Sequence, residues 1–458
     1  MPMADRPNIL LITTHDLGTH LACYGFDPGI PSPNLDRLAA DGVRFENHFC
    51  TASFCSPCRG SINTGRYPNC NGLMGLVNLG WDIPDADNRF LAAELGAAGY
   101  RTTLVGLQHT AKDPSRLGYD EVIRCGNRCR QVAPAAIKHL GELAGRENVK
   151  PFFMEVGFSE VHRSYGDLEQ LPVSEEDVRP LPFLKDTPGL RADLAAFYEN
   201  IRRMDESVGQ ILSALDSTGL AENTLVVFTT DHGIAFPRAK GTLYDSGIRT
   251  TLLMRLPGSL PAGRVRTAMT SHVDIYATLL DFAGRTLPEN CQGRSLRPLL
   301  QGDEEGGREF IFAEKNTDPT DIKRCLRTRT HKYIRNYTDG PLLALPGDIE
   351  VTPSRRDMGD DHLAPRPPVE LYDLVDDPLE TENIAGREEH RELEQAMAAR
   401  LQQLLEDTCD PVLTGLPSRP EAEAGIRAQN RSEEGVQKRR DREAAVARAL
   451  EKLRGKSG

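Results

Sequence analysis

Asn8-Ile9-Leu10-Leu11-Ile12-Thr13-Thr14-His15-Asp16-Leu17-Gly18 is the stretch that decides the fold. Ile9 to Thr14 is apolar or β-branched with no polar alternation, the pattern of a strand buried on both faces of a parallel sheet. His15 and Asp16 follow at its C-terminal end, where an open α/β sheet meets its ligand. Thr224-Leu-Val-Val-Phe-Thr-Thr230 repeats the pattern and runs into Asp231-His232-Gly233. Two strands therefore deliver acid–imidazole pairs at the same kind of strand end.

Helical segments alternate with these strands. Ser32-Pro33 opens a helix with Leu35, Leu38 and Ala39 on one face; Ser32 is a candidate cap and Pro33 suits the first turn. A second helix spans Phe90 to Ala98, with a strand from Tyr100 to Val105. A long helix spans Asp193 to Leu215, its apolar positions advancing by three or four residues. The alternation predicts an α/β fold with a large, doubly wound, mostly parallel sheet over residues 1–320. Residues 321–415 read as a smaller C-terminal α+β domain. Within it, Arg324 to Tyr337 is expected as exposed antiparallel strand, 340–368 as Pro-, Gly- and Asp-rich loop, and Glu392 to Leu405 as helix. Residues 416–458 form a charged tail, with a helix from Glu433 to Lys456 or, by default, a solvated or disordered segment.

Composition narrows the function. The chain has 458 residues and a net charge of −12, which argues against a broad nucleic-acid-binding surface but allows a local basic pocket for an anionic substrate. The apolar run Ile9 to Ile12 is too short for a signal-peptide core or a membrane span, so a cytoplasmic location away from the membrane is expected. In a reducing compartment the ten cysteines are mostly buried thiols, with a special role for one or two.

One candidate for that role lies in Phe54-Cys55-Ser56-Pro57-Cys58-Arg59-Gly60-Ser61-Ile62-Asn63-Thr64-Gly65-Arg66. A Cys-x-x-Cys pair alone reads as a redox couple, half a zinc site, or two unremarkable thiols. Cys125 and Cys129 make a poor second half for zinc, and a thioredoxin-sized context is absent. The fuller pattern is more specific. Cys-x-Pro-x-Arg followed by Thr-Gly-Arg, after an N-terminal strand, resembles the signature of the sulfatases, a family of alkaline-phosphatase-like fold. Arg191 to Tyr198, Arg203-Met-Asp205 and Asp231 to Pro237 are similar to the heparan N-sulfatase branch. Glu370-Leu-Tyr-Asp373, Asp377-Pro378 and Glu382-Asn383 resemble the usual C-terminal ending. Cys58 departs from the Ser that many members carry, and brings a risk of a disulfide with Cys55.

The resemblance implies a mechanism and a set of residues. A maturation enzyme would oxidise Cys55 to formylglycine. One hydroxyl of the hydrated aldehyde would attack sulfur or phosphorus, and the second would expel the bound group by C–O cleavage. Arg59 would stabilise the diol oxygens or act as a structural ion-pair partner. His15, Asp16, Asp231 and His232 match the metal positions, with modified Cys55 completing the shell. Two imidazoles suit Mn²⁺, Zn²⁺ or Fe²⁺ better than Ca²⁺. His109 matches a histidine beside the nucleophile, His162 a leaving-group acid, and Lys240 a basic anion contact. Leu107 stands where the family commonly has lysine. The expected function is hydrolysis of a sulfate ester or sulfamate, a small anionic substrate carried on a sugar. The histidine-bearing shell and Leu107 leave phosphodiester or phosphonate monoester hydrolysis as the alternative, and a non-catalytic binding protein as a lesser one. Homo-oligomerisation stays open.

Overall fold

A computed structural model describes residues 6–146, 150–165, 168 and 170–454. The strands of the large sheet are β1 (Asn8–Thr14), β2 (Val43–Phe49), β3 (Arg101–Gly106), β4 (Glu121–Ile123), β5 (Phe152–Gly157), β6 (Thr224–Thr230), β7 (Arg249–Thr250), β8 (Leu252–Arg255) and β9 (Arg264–Ser271). Their order is β4-β3-β5-β1-β6-β8-β2-β7, with β9 also on β2. The run β4-β3-β5-β1-β6 is parallel throughout. The two strands singled out from sequence are immediate neighbours, Asn8 opposite Thr224 through to Thr14 opposite Thr230. Their unbroken hydrophobicity follows from helices on both faces. Leu10 and Ile12 enter one core layer, with Val226 and Phe228; Ile9 and Leu11 enter the other, with Leu225 and Val227.

The long helix spans Pro188–Ser217, and the side chain of Thr187 caps it by accepting from Leu190 N (3.1 Å). Ser32 precedes the Pro33–Ala40 helix but does not cap it. Its hydroxyl accepts from Ala22 N (3.0 Å) and donates to Asp36, while Asp205 of the long helix takes the Asn34 and Leu35 N–H groups at 3.1 and 2.8 Å. A carboxylate from a neighbouring helix has displaced the local cap, a choice made by packing.

The small sheet is antiparallel, β10 (Ile311–Asp318), β11 (Asp321–Arg327), β12 (His331–Asn336) and β13 (Val369–Asp373) in that order. The segment expected as one exposed strand is thus two strands, and β11 is buried throughout. Its charged residues are inside because acids meet them there: Arg324 pairs with Asp410 (2.6 Å), Arg327 with Asp245 (2.8 Å), and β12's Lys332 with Asp245 and Glu380 (both 2.6 Å). The 340–368 segment is largely loop, with a helical turn at Pro353–Arg356. The Arg391–Asp407 helix covers one face of this sheet through Met397, Leu401 and Leu405.

The tail is ordered, against the default expectation. It forms two helices, Glu421–Arg431 and Glu433–Arg454, and Val446 and Leu450 are buried in the core layer of the long helix. Two buried residues four positions apart suffice to dock a helix that is otherwise polar. Residues 455 and 456 lie outside the described residues.

A buried histidine pair links the fold to pH. His48 of β2 shares a hydrogen bond with Thr270 (2.9 Å), and its ring centroid lies 5.2 Å from that of His272. Burial, then the Arg308 charge, depress His48 to about 3. Between that value and the 6.5 of a free imidazole, the unfolded chain binds the extra proton, so stability falls as pH drops through this window. The steepest contribution of one such site is about 1.4 kcal/mol per pH unit. Urea midpoints measured from pH 6.5 down to 4 should fall less steeply in His48→Gln than in the parent; parallel slopes would remove His48 from the account.

Candidate active site

The register of β1 on β6 brings His15-Asp16 beside Asp231-His232. Ligand atoms of all four residues lie within 4.8 Å of one another, and all four side chains are buried. Nδ1 of His15 is 2.9 Å from Asp16 Oδ1 and 3.1 Å from Asp231 Oδ2. Asp231 Oδ1 accepts from the backbone N–H groups of Asp16 and His232, both at 2.9 Å. Asp16 adopts a positive φ of 54°, a costly conformation for a non-glycine residue, and its carboxylate turns into the cluster.

The donor set fits a divalent cation. His232 Nδ1 lies 2.9 Å from the Gly233 carbonyl, which can only accept, so Nδ1 carries the proton. Nε2 faces Asp16 Oδ1 at 3.1 Å. Burial opposes charge on this imidazole, yet Asp231 and Asp16 raise it above its ordinary value, so a proton or a cation belongs between the two atoms. A lone pair facing a carboxylate repels it unless positive charge lies between them, and a ring held through its other nitrogen is the usual arrangement of a metal-binding histidine. The His15 imidazole speaks to the same demand. Burial opposes charge on it, yet Asp231 and Asp16 prevail and raise it to about 10.

Cys55 opens the Cys55–Thr64 helix, every residue of which is buried. It shares a cluster with His15 and His109, whereas the four-residue cluster around the two carboxylates does not include it. Burial pushes its thiol up, but His109, followed by His15 and His232, overcomes this and holds it well below the ordinary range. Cys50 and Cys58 are raised by burial and then by the Asp231 charge. Cys58 forms no disulfide; its thiol donates to the Cys55 carbonyl (3.1 Å). Arg59, one turn on, donates to Asp231 Oδ2 (3.1 Å), Thr13 Oγ1 (3.2 Å) and the Thr14 carbonyl (2.6 Å). It ties the Cys55–Thr64 helix to the end of β1 and to Asp231.

His109 sits at the tip of the loop after β3 with φ 55°. Gln108 braces that loop by accepting from Thr110 N and from Ala111 N (2.9 Å). Leu107 lies beside a neighbouring pocket with Val122 and Cys125, away from the Cys55 cavity lining. On the other side Lys240 donates to Asp16 Oδ2 and Asp348 Oδ2, both at 2.8 Å, and lies 3.3 Å from His162 Nε2. Burial opposes the Lys240 charge, but Asp16 and Asp348 raise its pKa. Burial and then Lys240 lower His162, whose Nδ1 faces the Arg163 carbonyl. Nδ1 therefore carries the proton and Nε2 accepts from Lys240. The nine residues selected from sequence thus lie together: Cys55, His109, His162 and Lys240 line the cavity, and His15, Asp16, Arg59, Asp231 and His232 are buried beside them. Asp348 was missed: it lies in the segment read only as loop, and a lone Asp after Pro-Gly carries no spacing that marks it.

The sulfatase family model matches residues 7–285, and the model described as N-sulphoglucosamine sulphohydrolase, C-terminal, matches residues 233–353. The human N-sulphoglucosamine sulphohydrolase is 29% identical over 465 residues, covering 89% of this chain and 91% of that protein. A structure solved in complex with its substrate, D-glucosamine-2-N,6-O-disulfate, superposes with a TM-score of 0.68 at 20% identity, covering 88% of this chain and 98% of that one. The phosphonate monoester hydrolase of Agrobacterium radiobacter gives 0.71 at 22% identity, covering 91% and 100%. At those identities the structural likenesses concern the fold.

Proposed function

The chain belongs to the sulfatase family and is a hydrolase of sulfate esters or sulfamates; from that premise we propose that it removes sulfate from a sugar through a formylglycine made from Cys55, with one divalent metal bound by His15, Asp16, Asp231 and His232. The observation that carries this reading is the convergence of the Cys55 helix N-terminus with that four-residue cluster and the Lys240–His162 pair in one crevice. The hydrated aldehyde supplies the nucleophilic oxygen and, through its second hydroxyl, a route for releasing sulfate by C–O cleavage. The metal supplies Lewis-acid polarisation of the sulfuryl oxygens.

The protein's own groups do the rest. Asp16 and Asp231 concentrate negative charge where the cation binds, and Arg59 fixes Asp231 against the end of β1. His109, which clusters with Cys55 and His15, is assigned as the group that takes a proton from the nucleophilic position. On the opposite side Lys240 donates a proton toward His162 Nε2 across 3.3 Å. Delivered to the ester or sulfamate leaving atom, that proton neutralises the charge that develops there. Lys240 stays close enough to Asp16 to attract the sulfate anion without leaving the carboxylate unpaired.

Two imidazole ligands and Leu107 favour one other reading, hydrolysis of a phosphodiester or phosphonate monoester in the same crevice. A single panel separates them: p-nitrophenyl sulfate, D-glucosamine-2-N,6-O-disulfate, bis(p-nitrophenyl) phosphate and a phenylphosphonate ester, each with the stripped protein reloaded with Mn²⁺, Zn²⁺ or Ca²⁺. Sulfate release restored by Mn²⁺ or Zn²⁺ is expected. Turnover of the phosphorus esters alone would replace the first reading with the second. A metal must displace the proton that the carboxylates hold on His15, so its apparent affinity should weaken as pH falls. Restoration by Ca²⁺ alone, with His15→Ala and His232→Ala binding it like the parent, would take both histidines out of the site.

A further inference from the structure

A cavity of about 500 Å³ opens from Cys55, and its far wall comes from the C-terminal helical hairpin. Arg427, Arg431, Lys438, Arg439 and Arg442 of that hairpin all line it, together with Lys315 of β10. For a chain of net charge −12, so many cations around one cavity are not a chance sample of the surface.

The hairpin is fixed at both ends, so the wall is a built feature. At the first helix, buried Glu423 accepts from the Trp81 indole (2.9 Å) and from Arg419 (2.8 Å) and Arg427 (2.7 Å). At the second, Val446 and Leu450 enter the main core and Arg454 pairs with Glu175 (2.6 Å). Three acids line the same cavity: Asp318 and Asp348 are committed to cations, and Glu350 is exposed without an ion pair among the described residues. Asp318 faces Arg427 and Arg431 at 3.8 and 3.4 Å, and Asp348 holds Lys240. Arg439 is different. Its Nη1 donates to the Asn430 carbonyl (2.8 Å), its Nε is buried without a hydrogen-bond partner, and no acid lies within ion-pair distance of its guanidinium among the described residues. Gly347, the residue before Asp348, lies directly beside that guanidinium. Arg442 likewise has no carboxylate partner among the described residues and sits one helical turn on, on the same face.

We infer that the hairpin binds a second anionic group of the substrate, so that this enzyme acts on sugars carrying another sulfate or carboxylate besides the sulfate it removes. The inference rests on the sulfated-sugar reading above and adds the charge of the substrate to it. Lys240, His162 and the Cys55 cluster take the group that reacts. Arg439 and Arg442 take the one that stays, and a guanidinium fork suits either oxyanion. The sequence alone reads the tail as a solvated charged segment; its role comes from where Val446 and Leu450 anchor it.

The test measures binding and does not depend on turnover. In the Cys55→Ala protein loaded with Mn²⁺, calorimetry compares D-glucosamine-2-N,6-O-disulfate with D-glucosamine N-sulfate. The disulfate should bind tenfold or more tightly. The double variant Arg439→Ala/Arg442→Ala should erase most of that ratio, and added salt should weaken the disulfate more than the monosulfate. Arg448→Ala, a basic change on the same helix outside the cavity lining, should keep the ratio. A parent that binds the disulfate no more tightly than the monosulfate overturns the inference, as does equal loss in the Arg448→Ala protein. The sulfated-sugar reading is judged separately, by sulfate release from the ester panel with the uncut Cys55 protein. Both Arg439 and Arg442 lie at the surface of a docked helix, and circular dichroism of the double variant checks that the helix remains.

Discussion

Cys55→Ala should lower sulfate release about 10⁶-fold, the scale of deleting a covalent nucleophile, while leaving the urea midpoint close to the parent's. The expectation rests on how differently the helix treats its two cysteines. Cys58 is fully buried, its thiol donates to a backbone carbonyl, and both burial and Asp231 hold it protonated. Cys55 stands at the helix N-terminus at the cavity wall, and His109 stabilises its charged form. Mass spectrometry of active enzyme should find that the Cys55 peptide has lost its sulfur and two hydrogens and gained one oxygen, the change from thiol to aldehyde, with Cys58 unchanged. Cys58→Ser should retain turnover, since it only needs to keep one short donor inside the helix. Fully active protein that carries an unmodified thiol at Cys55 would end the formylglycine mechanism here.

Arg324→Leu should destabilise the protein by about 3–5 kcal/mol, the cost of stranding a buried charge whose partner has been removed. Arg324 is wholly buried in β11. It meets Asp410 through two nitrogens (2.6 and 2.7 Å), Asn316 (2.9 Å) and Glu314 (3.5 Å). Leucine fills part of the space but leaves two carboxyl groups inside without a cation, and burial already raises Glu314 to about 7. The site is also a joint between the two sheets. Glu314 accepts from Asn69 N (2.6 Å), and its own N–H donates to the Thr51 carbonyl (2.9 Å), four residues before Cys55. The loss should therefore appear both in the urea midpoint and as inactivation at the same urea concentration. Arg324→Leu/Asp410→Leu should recover part of the loss, because it removes one of the stranded acids. A single-variant loss under about 1 kcal/mol would show that water reaches the pair and screens it.

The two predictions draw on different levels of information. Cys55 stood out in the sequence because the motif around it is a fixed local pattern. Pro57 in the first turn, Arg59 one turn on and the glycine at position 65 are all within a few residues of it. His15-Asp16 and Asp231-His232 were legible for a related reason. A strand buried on both faces has to be apolar without interruption, so the first polar residues after it mark the sheet edge. The sequence by itself therefore determined the parallel sheet, the two acid–imidazole pairs and the helix that Cys55 opens. Only the tertiary structure decided which strands lie side by side, since register between β1 and β6 is a pairing across more than two hundred positions. Only the tertiary structure also decided where charge is buried. Arg324 and Lys332 look like exposed strand residues until Asp410, Asp245 and Glu380 arrive from distant parts of the chain to neutralise them. The same holds for Asp348, which reaches Lys240 from a loop with no pattern, and for the hairpin carrying Arg439 and Arg442. Side-chain charge can be read along a chain, but the free energy of placing it depends on the partner and the water it meets, and those are set by the fold.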